Sequence, residues 1–166
     1  VHAEAHAWVA EHAPADALRV LDLGGRDING TTRGLFPAAG VYQVVDILPG
    51  PGVDVVADAA TWTPDGAYDV VVSTETFEHT AVWPDICQTV FKALRPGGLF
   101  IATMAGPGRP APSAIDGGWS LHPGEHYQNV DPADLARVLG DCGFVEVVTD
   151  RRDRPADTRC TARRPA

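Results

Sequence analysis

The sequence predicts a single α/β domain built on a mostly parallel sheet, and three observations carry that prediction. Short β-branched runs alternate with helical or turn segments along the 166-residue chain. Several of these runs are apolar nearly throughout, as strands covered on both faces are. Glycines and carboxylates gather where the runs end, and open α/β sheets hold their ligands at strand carboxyl ends. The length suits one domain and leaves no room for a second of ordinary size.

In chain order, a helix is predicted at Ala3–His12 and a strand at Arg19–Leu23. A second helix is expected over Thr31–Ala38, then strands at Tyr42–Ile47, Val53–Ala57 and Tyr68–Ser73. A helix over Trp83–Leu94 ends at Arg95-Pro96-Gly97-Gly98, a turn into the strand Leu99–Met104. The helix Pro132–Cys142 has a marked start, with Asp131 as N-cap and proline at the first position, and a stop at Gly143. Val145–Thr149 and, more weakly, Thr158–Ala162 complete the strands. Between them Gly106–Val130 has no usable periodicity, and a loop that long in a compact domain is functional or mobile. It is expected to act as a substrate lid or, alternatively, to be a rigid surface loop packed by its own aromatics.

Composition excludes several classes. No apolar run reaches the roughly 18–20 residues of a membrane helix, and the segment Val1–Ala13 lacks the basic start of a signal peptide. Three cysteines at long spacing, Cys87, Cys142 and Cys160, point to reduced thiols in a cytoplasmic protein and to neither a disulfide framework nor a zinc cluster. The net charge is −9, yet six arginines and two aspartates follow residue 150, so residues 1–150 carry seven basic against twenty acidic groups. A body that acidic repels phosphate backbones, which argues against nucleic acid as a partner. The arginines at the chain end read as solvated.

Chemistry concentrates at the first strand, which ends Val20-Leu21-Asp22-Leu23-Gly24-Gly25. A glycine pair there lets the backbone turn tightly and approach a ligand. Asp22, closing an apolar run, needs backbone N–H groups or a ligand cation as partner. Arg26 stands where a dinucleotide fingerprint needs its second glycine, and no phosphate loop is present, so a pyrophosphate cofactor is disfavoured. Asp46 closes the next strand and is placed to accept both hydroxyls of a ribose. Asp58 follows the third run.

This ordered set resembles the class I S-adenosylmethionine-dependent methyltransferases. RVLDLGG matches their first motif and YQVVDI their second. VDVVADA, YDVVVSTETFEH and ALRPGGLFIAT match the later segments, so the likeness covers about residues 17–150. It implies a Rossmann-like, seven-stranded sheet with one antiparallel strand, and S-adenosyl-L-methionine as cofactor. It assigns Gly24 and Gly25 to the methionine side and places Asp22 among the cofactor-binding residues. Asp46 with Ile47 falls to the ribose, Asp58 with Ala59 to the adenine edge, and Thr74 to the end of the fourth strand.

On the substrate side, neither the amino-methylating DNA enzymes' tetrapeptide nor the arginine methyltransferases' double-glutamate hairpin is present. The resemblance therefore implies a small-molecule N or O acceptor, with His79 as first candidate base and His126 beside it. His122-Pro123-Gly124-Glu125-His126 fits an inverted zinc-protease spacing, but Pro-Gly at its centre prevents the helix that motif needs, so no metal is expected. The site is expected to be open, completed by the Gly106–Val130 loop, or completed by a second copy in a homodimer. Two other readings stand beside this one: a cofactor-binding, non-catalytic partner or regulatory subunit, and a nucleotide-sugar or dinucleotide enzyme on a similar sheet.

Overall fold

In the computed structural model, which describes residues 1–166, the regular elements are α1 (Ala3–His12), β1 (Arg19–Leu23), β2 (Val41–Asp46), β3 (Val55–Val56), β4 (Tyr68–Thr74), α2 (Trp83–Ala93), β5 (Leu94–Ala105), α3 (Pro132–Cys142), β6 (Val145–Asp153) and β7 (Ala156–Arg163). The seven strands line up as β3-β2-β1-β4-β5-β7-β6. β1 to β5 pair in parallel, while β7 slots between β5 and β6 and runs antiparallel to both. The expected sheet, with its single antiparallel strand, is the observed one.

Strand periodicity of two divides the core between the faces. Leu21, Leu23, Val71 and Phe100 point to the side of α2 and α3, where they meet Phe77, Val90, Leu135 and Phe144. Val20, Val44, Val70 and Ile101 point the other way, against Trp8, Val9, Phe36 and Tyr42. Both faces being buried explains the near-continuous apolar runs. α3 starts and stops as its sequence predicts: Asp131 Oδ1 accepts from Ala133 N–H at 2.8 Å, and Gly143 is left-handed at φ 97°.

Four expectations need correction. The Thr31–Ala38 helix is a single 3-10 turn at Arg33–Leu35, because Gly34 and Pro37 interrupt the window and two threonines precede it. The Val53–Ala57 strand shrinks to Val55–Val56, since Asp54 turns its side chain back to accept from Val44 N–H at 2.8 Å. Arg95–Gly98 is not a plain turn but a bulge inside β5, whose pairing with β4 jumps from Tyr68↔Leu94 to Val70↔Leu99. Nor are the terminal arginines all solvated. Arg159 pairs with Asp150 through both carboxylate oxygens and covers the Trp8 ring at 4.4 Å, and Arg164 donates to Leu94 O at 2.5 Å.

Candidate active site

The carboxyl ends of β1, β2, β3 and β4 meet along one edge of the sheet, and the sequence-predicted cofactor residues gather there. Gly24 holds φ +75° and donates its N–H to Val45 O at 2.8 Å. A Cβ at Gly24 would collide with Thr76 Oγ1, and one at Gly25 with the Asp22 carboxylate. Both glycines are thus required first by the protein's own side chains, and only then by a ligand.

Asp22 is buried at 3% exposure. Its Oδ2 accepts from the Tyr42 hydroxyl at 2.7 Å, Tyr42 in turn lies 2.8 Å from Thr32 Oγ1, and Asp22 Oδ1 has no partner. Burial pushes the Asp22 carboxyl up to about 6, against the pull of Tyr42 and Arg33. The expected partner of Asp22 is therefore a hydroxyl for one oxygen and nothing for the other. Tyr42 and Thr32 escaped the sequence reading. Tyr42 entered only as the first residue of a predicted strand and of YQVVDI, and Thr32 fell within the helix that does not form.

Asp46 takes Arg26 N–H on Oδ2 at 3.1 Å and Leu48 N–H on Oδ1 at 2.9 Å. A carboxylate offers about four acceptor positions, so each oxygen retains capacity for a hydroxyl. Ile47 beside it is 64% exposed, an apolar surface at the predicted ribose position. Asp58 caps the next turn by accepting from Ala60 N–H at 2.9 Å, with Ala59 half-buried alongside. Thr74 ends β4 buried beneath this edge. These donors and acceptors, the unpartnered Asp22 Oδ1 and the tight turn fit a ligand with a diol and a protonated amine.

The Arg26 guanidinium turns away from this turn. It packs over Gly50 and donates to Ala114 O at 2.6 Å and Ile115 O at 3.2 Å, tying the first loop to the Gly106–Val130 segment. That segment contains no helix or strand, yet it is folded on itself. Glu125 accepts from Ser113 Oγ, Ala114 N–H and His122 N–H, and Ser113 is buried. Glu125 is thus a hub within the loop, while His122 pairs with Asp116 at 3.0 Å.

Beyond β4 lies a buried polar cluster. Glu75, at the strained φ of 56°, faces Arg109 and His2 and accepts from Thr103 Oγ1 at 3.1 Å. Arg109 also pairs with the buried Asp157 at 2.7 Å. Arg109 and His2 hold Glu75 below its ordinary range against burial, while burial raises Glu78 well above its own and brings Asp157 to about 6. His79 lies edge-on to Tyr127 at 5.7 Å, with Nδ1 buried and unpartnered. Burial lowers its pKa, opposed by Glu125 and Glu75, so the imidazole is neutral around pH 7. His126 is exposed on the loop and meets His79 through its backbone, which favours the protonated His79 imidazole. Two shallow clefts, of about 380 and 250 Å³, lie at the opposite end of the sheet, around Val148 and Arg163 and around Asp69 and Arg95, away from these groups.

The strand order and this acidic edge define a methyltransferase-type domain. Residues 2–149 match the family described as methyltransferase domain, and the chain belongs to it, within the class I S-adenosylmethionine-dependent methyltransferases. A wheat (Triticum aestivum) phosphoethanolamine N-methyltransferase is 32% identical over 104 residues, which is 58% of this chain and 19% of that protein. The chain thus spans about a fifth of the length of that relative. Among solved structures, the Burkholderia thailandensis 1,6-didemethyltoxoflavin-N1-methyltransferase, with its substrate and S-adenosylhomocysteine bound, is similar at a TM-score of 0.72 and 18% identity, covering 99% of this chain and 78% of that one. A Haemonchus contortus phosphoethanolamine N-methyltransferase bound to phosphomonomethylethanolamine and S-adenosylhomocysteine gives 0.73 at 14% identity, over 96% and 52% of the two chains. A Mesorhizobium loti S-adenosylmethionine-dependent methyltransferase gives 0.68 at 19%, over 96% and 98%.

Proposed function

We propose that this chain binds S-adenosyl-L-methionine at the β1–β4 edge and directs its methyl group to a nitrogen or oxygen of a small molecule. The observation that carries the reading is the ordered edge itself, with Asp22, Asp46 and Asp58 closing or following successive strands around the Gly24-Gly25 turn. The named acceptors of the relatives above are small molecules, which supports the acceptor class. The cofactor supplies an electrophilic methyl on a sulfonium.

The protein's own part is binding, orientation, exclusion of water and handling of one proton. Asp46 and Ile47 hold the ribose, Asp58 and Ala59 the adenine edge, and Asp22, Gly24, Gly25 and Thr74 the methionine side. An amine or hydroxyl acceptor must lose a proton, and the neutral His79, with Nδ1 unpartnered, receives it. Gly106–Val130 is the lid, its knot around Ser113 and Glu125 moving as a unit and carrying His126 toward the acceptor. Whether a second copy completes the site is read from the molecular mass in solution with cofactor and acceptor present.

Isothermal titration with S-adenosylmethionine and S-adenosylhomocysteine tests the reading, followed by turnover on panels of small amines and phenols. Binding with turnover that falls at least tenfold in His79→Ala supports it. Binding without turnover on any panel favours the non-catalytic partner. Binding of NAD in preference to S-adenosylhomocysteine overturns both.

A further inference from the structure

Asp22 has an unusual set of neighbours for a buried carboxylate. Its side chain falls on the α1 face because Leu21 and Leu23 occupy the other, and there its one hydrogen-bond donor is the Tyr42 hydroxyl at 2.7 Å. Tyr42 has a single hydroxyl proton, and the ionised Asp22 can only accept. The 2.8 Å contact between Tyr42 and Thr32 therefore has a fixed sense, with Thr32 Oγ donating to the Tyr42 oxygen. Donation runs from Thr32 to Tyr42 to Asp22. All three residues are buried, and the chain stops at Asp22 Oδ1, which has no partner.

The 3-10 turn that replaces the expected second helix is what brings Thr32 to Tyr42, and Arg33 then lies over the Tyr42 ring at 4.5 Å. The backbone at Gly25 passes directly above the carboxylate, so close that a Cβ there would meet Asp22 Oδ1 and Oδ2 at 2.7 and 2.6 Å. Only glycine admits that approach. Turn, carboxylate and relay form one unit.

We propose that Thr32 and Tyr42 are positioning residues that hold Asp22 ionised beneath the Gly25 backbone, so that its charge attracts the protonated amine of the cofactor bound across that turn. The proposal rests on the cofactor reading given above. Burial favours the protonated acid and Asp46 adds to that, while Tyr42 and Arg33 favour the anion. With Tyr42 silenced, Asp22 takes up a proton at higher pH, and Oδ1 loses its charge.

The test follows the Asp22 carboxyl carbon by 13C NMR titration of the cofactor-free protein, in wild type, Tyr42→Phe and Thr32→Val. It is paired with calorimetry of S-adenosylhomocysteine binding from pH 5.5 to 8.5. The Asp22 midpoint is expected to rise by about one unit in Tyr42→Phe, which is a tenfold change in proton affinity, and by less in Thr32→Val. Binding by Tyr42→Phe is then roughly an order of magnitude weaker than wild type at pH 5.5 and converges on it at pH 8.5. A midpoint unmoved in both variants overturns the relay, as does a loss of affinity equal at every pH, which marks a merely structural tyrosine. No binding by the wild type overturns the cofactor reading instead, and the two failures are distinct.

Discussion

Asp46 shows how far a single residue can be read from its position. Its place at the end of β2 was legible from the ordered set it forms with Asp22, Asp58 and the Gly24-Gly25 turn, since an aspartate alone is common where strands become loops. Its occupancy was not. Arg26 and Leu48 N–H groups already hold the carboxylate in place, so Asp46→Ala removes two loop anchors as well as the proposed ribose acceptor. A charge-assisted hydrogen bond contributes about 1.5–3 kcal/mol. We expect Asp46→Ala to weaken S-adenosylhomocysteine binding by at least tenfold, and Asp46→Asn by less, when measured calorimetrically on folded protein. Unchanged affinity in Asp46→Ala places the ribose elsewhere. Gly24 was legible for a reason that proved incomplete. A valine there strikes Thr76 before it reaches any ligand, so Gly24→Val is expected to lose stability, seen as a lowered melting temperature, as well as binding.

At the scale of elements, the sequence announced what local chemistry controls and missed what tertiary contacts control. α1 and α3 carry their limits in their own residues, and α3 also carries its caps. The second helix does not form because Gly34 and Pro37 interrupt its window and Thr32 is buried against Tyr42. The Gly106–Val130 loop was legible as irregular, but its internal knot was not, since Glu125 reaches back about ten residues for its partners. Arg26 is the strap that joins this loop to the turn after β1. Arg26→Ala removes both side-chain bonds to the loop and keeps the backbone bond to Asp46. Hydrogen exchange of amides 113–118 in the cofactor-free protein is expected to quicken several-fold in this variant, and S-adenosylhomocysteine to dissociate faster. Equal exchange in wild type and variant shows that the loop is held by its own bonds alone. Amides 117–129 equally protected with and without S-adenosylhomocysteine and acceptor exclude lid closure.

Across the whole molecule, the acidic body seen in composition is not only a solvated surface, because three of its carboxylates, joined by Asp157 from the arginine-rich end, lie inside the protein at the carboxyl end of the parallel strands. Asp22, Glu78 and Asp157 are buried and raised, Asp22 and Asp157 to about 6, whereas Glu75 is held low by His2 and Arg109. His2 is raised through Glu75 and Asp157, and His79 is lowered by burial. None of this was visible in the sequence, because the cluster joins residues from the chain's start, middle and end. It has a consequence for stability. A carboxylate near 6 in the fold and about 3.9 when unfolded binds more protons in the folded state between those values, so stability rises as pH falls through that window. Asp22, Glu78 and Asp157 act in this sense, and His2 adds to them from higher pH. His79 opposes them near 6.5, and Glu75 reverses the trend once the pH falls toward the unfolded carboxylate value. A two-unit shift amounts to about 2–3 kcal/mol at most, and one kcal/mol moves the melting temperature of a domain this size by about 2–4 °C. The cofactor-free protein is therefore expected to be most stable near pH 5–6, melting several degrees higher there than at pH 8. Asp157→Asn should flatten the acidic rise. Scanning fluorimetry from pH 4 to 9 checks both, and a melting temperature that climbs steadily to pH 8 would show that these carboxylates are already hydrated or paired in the folded protein.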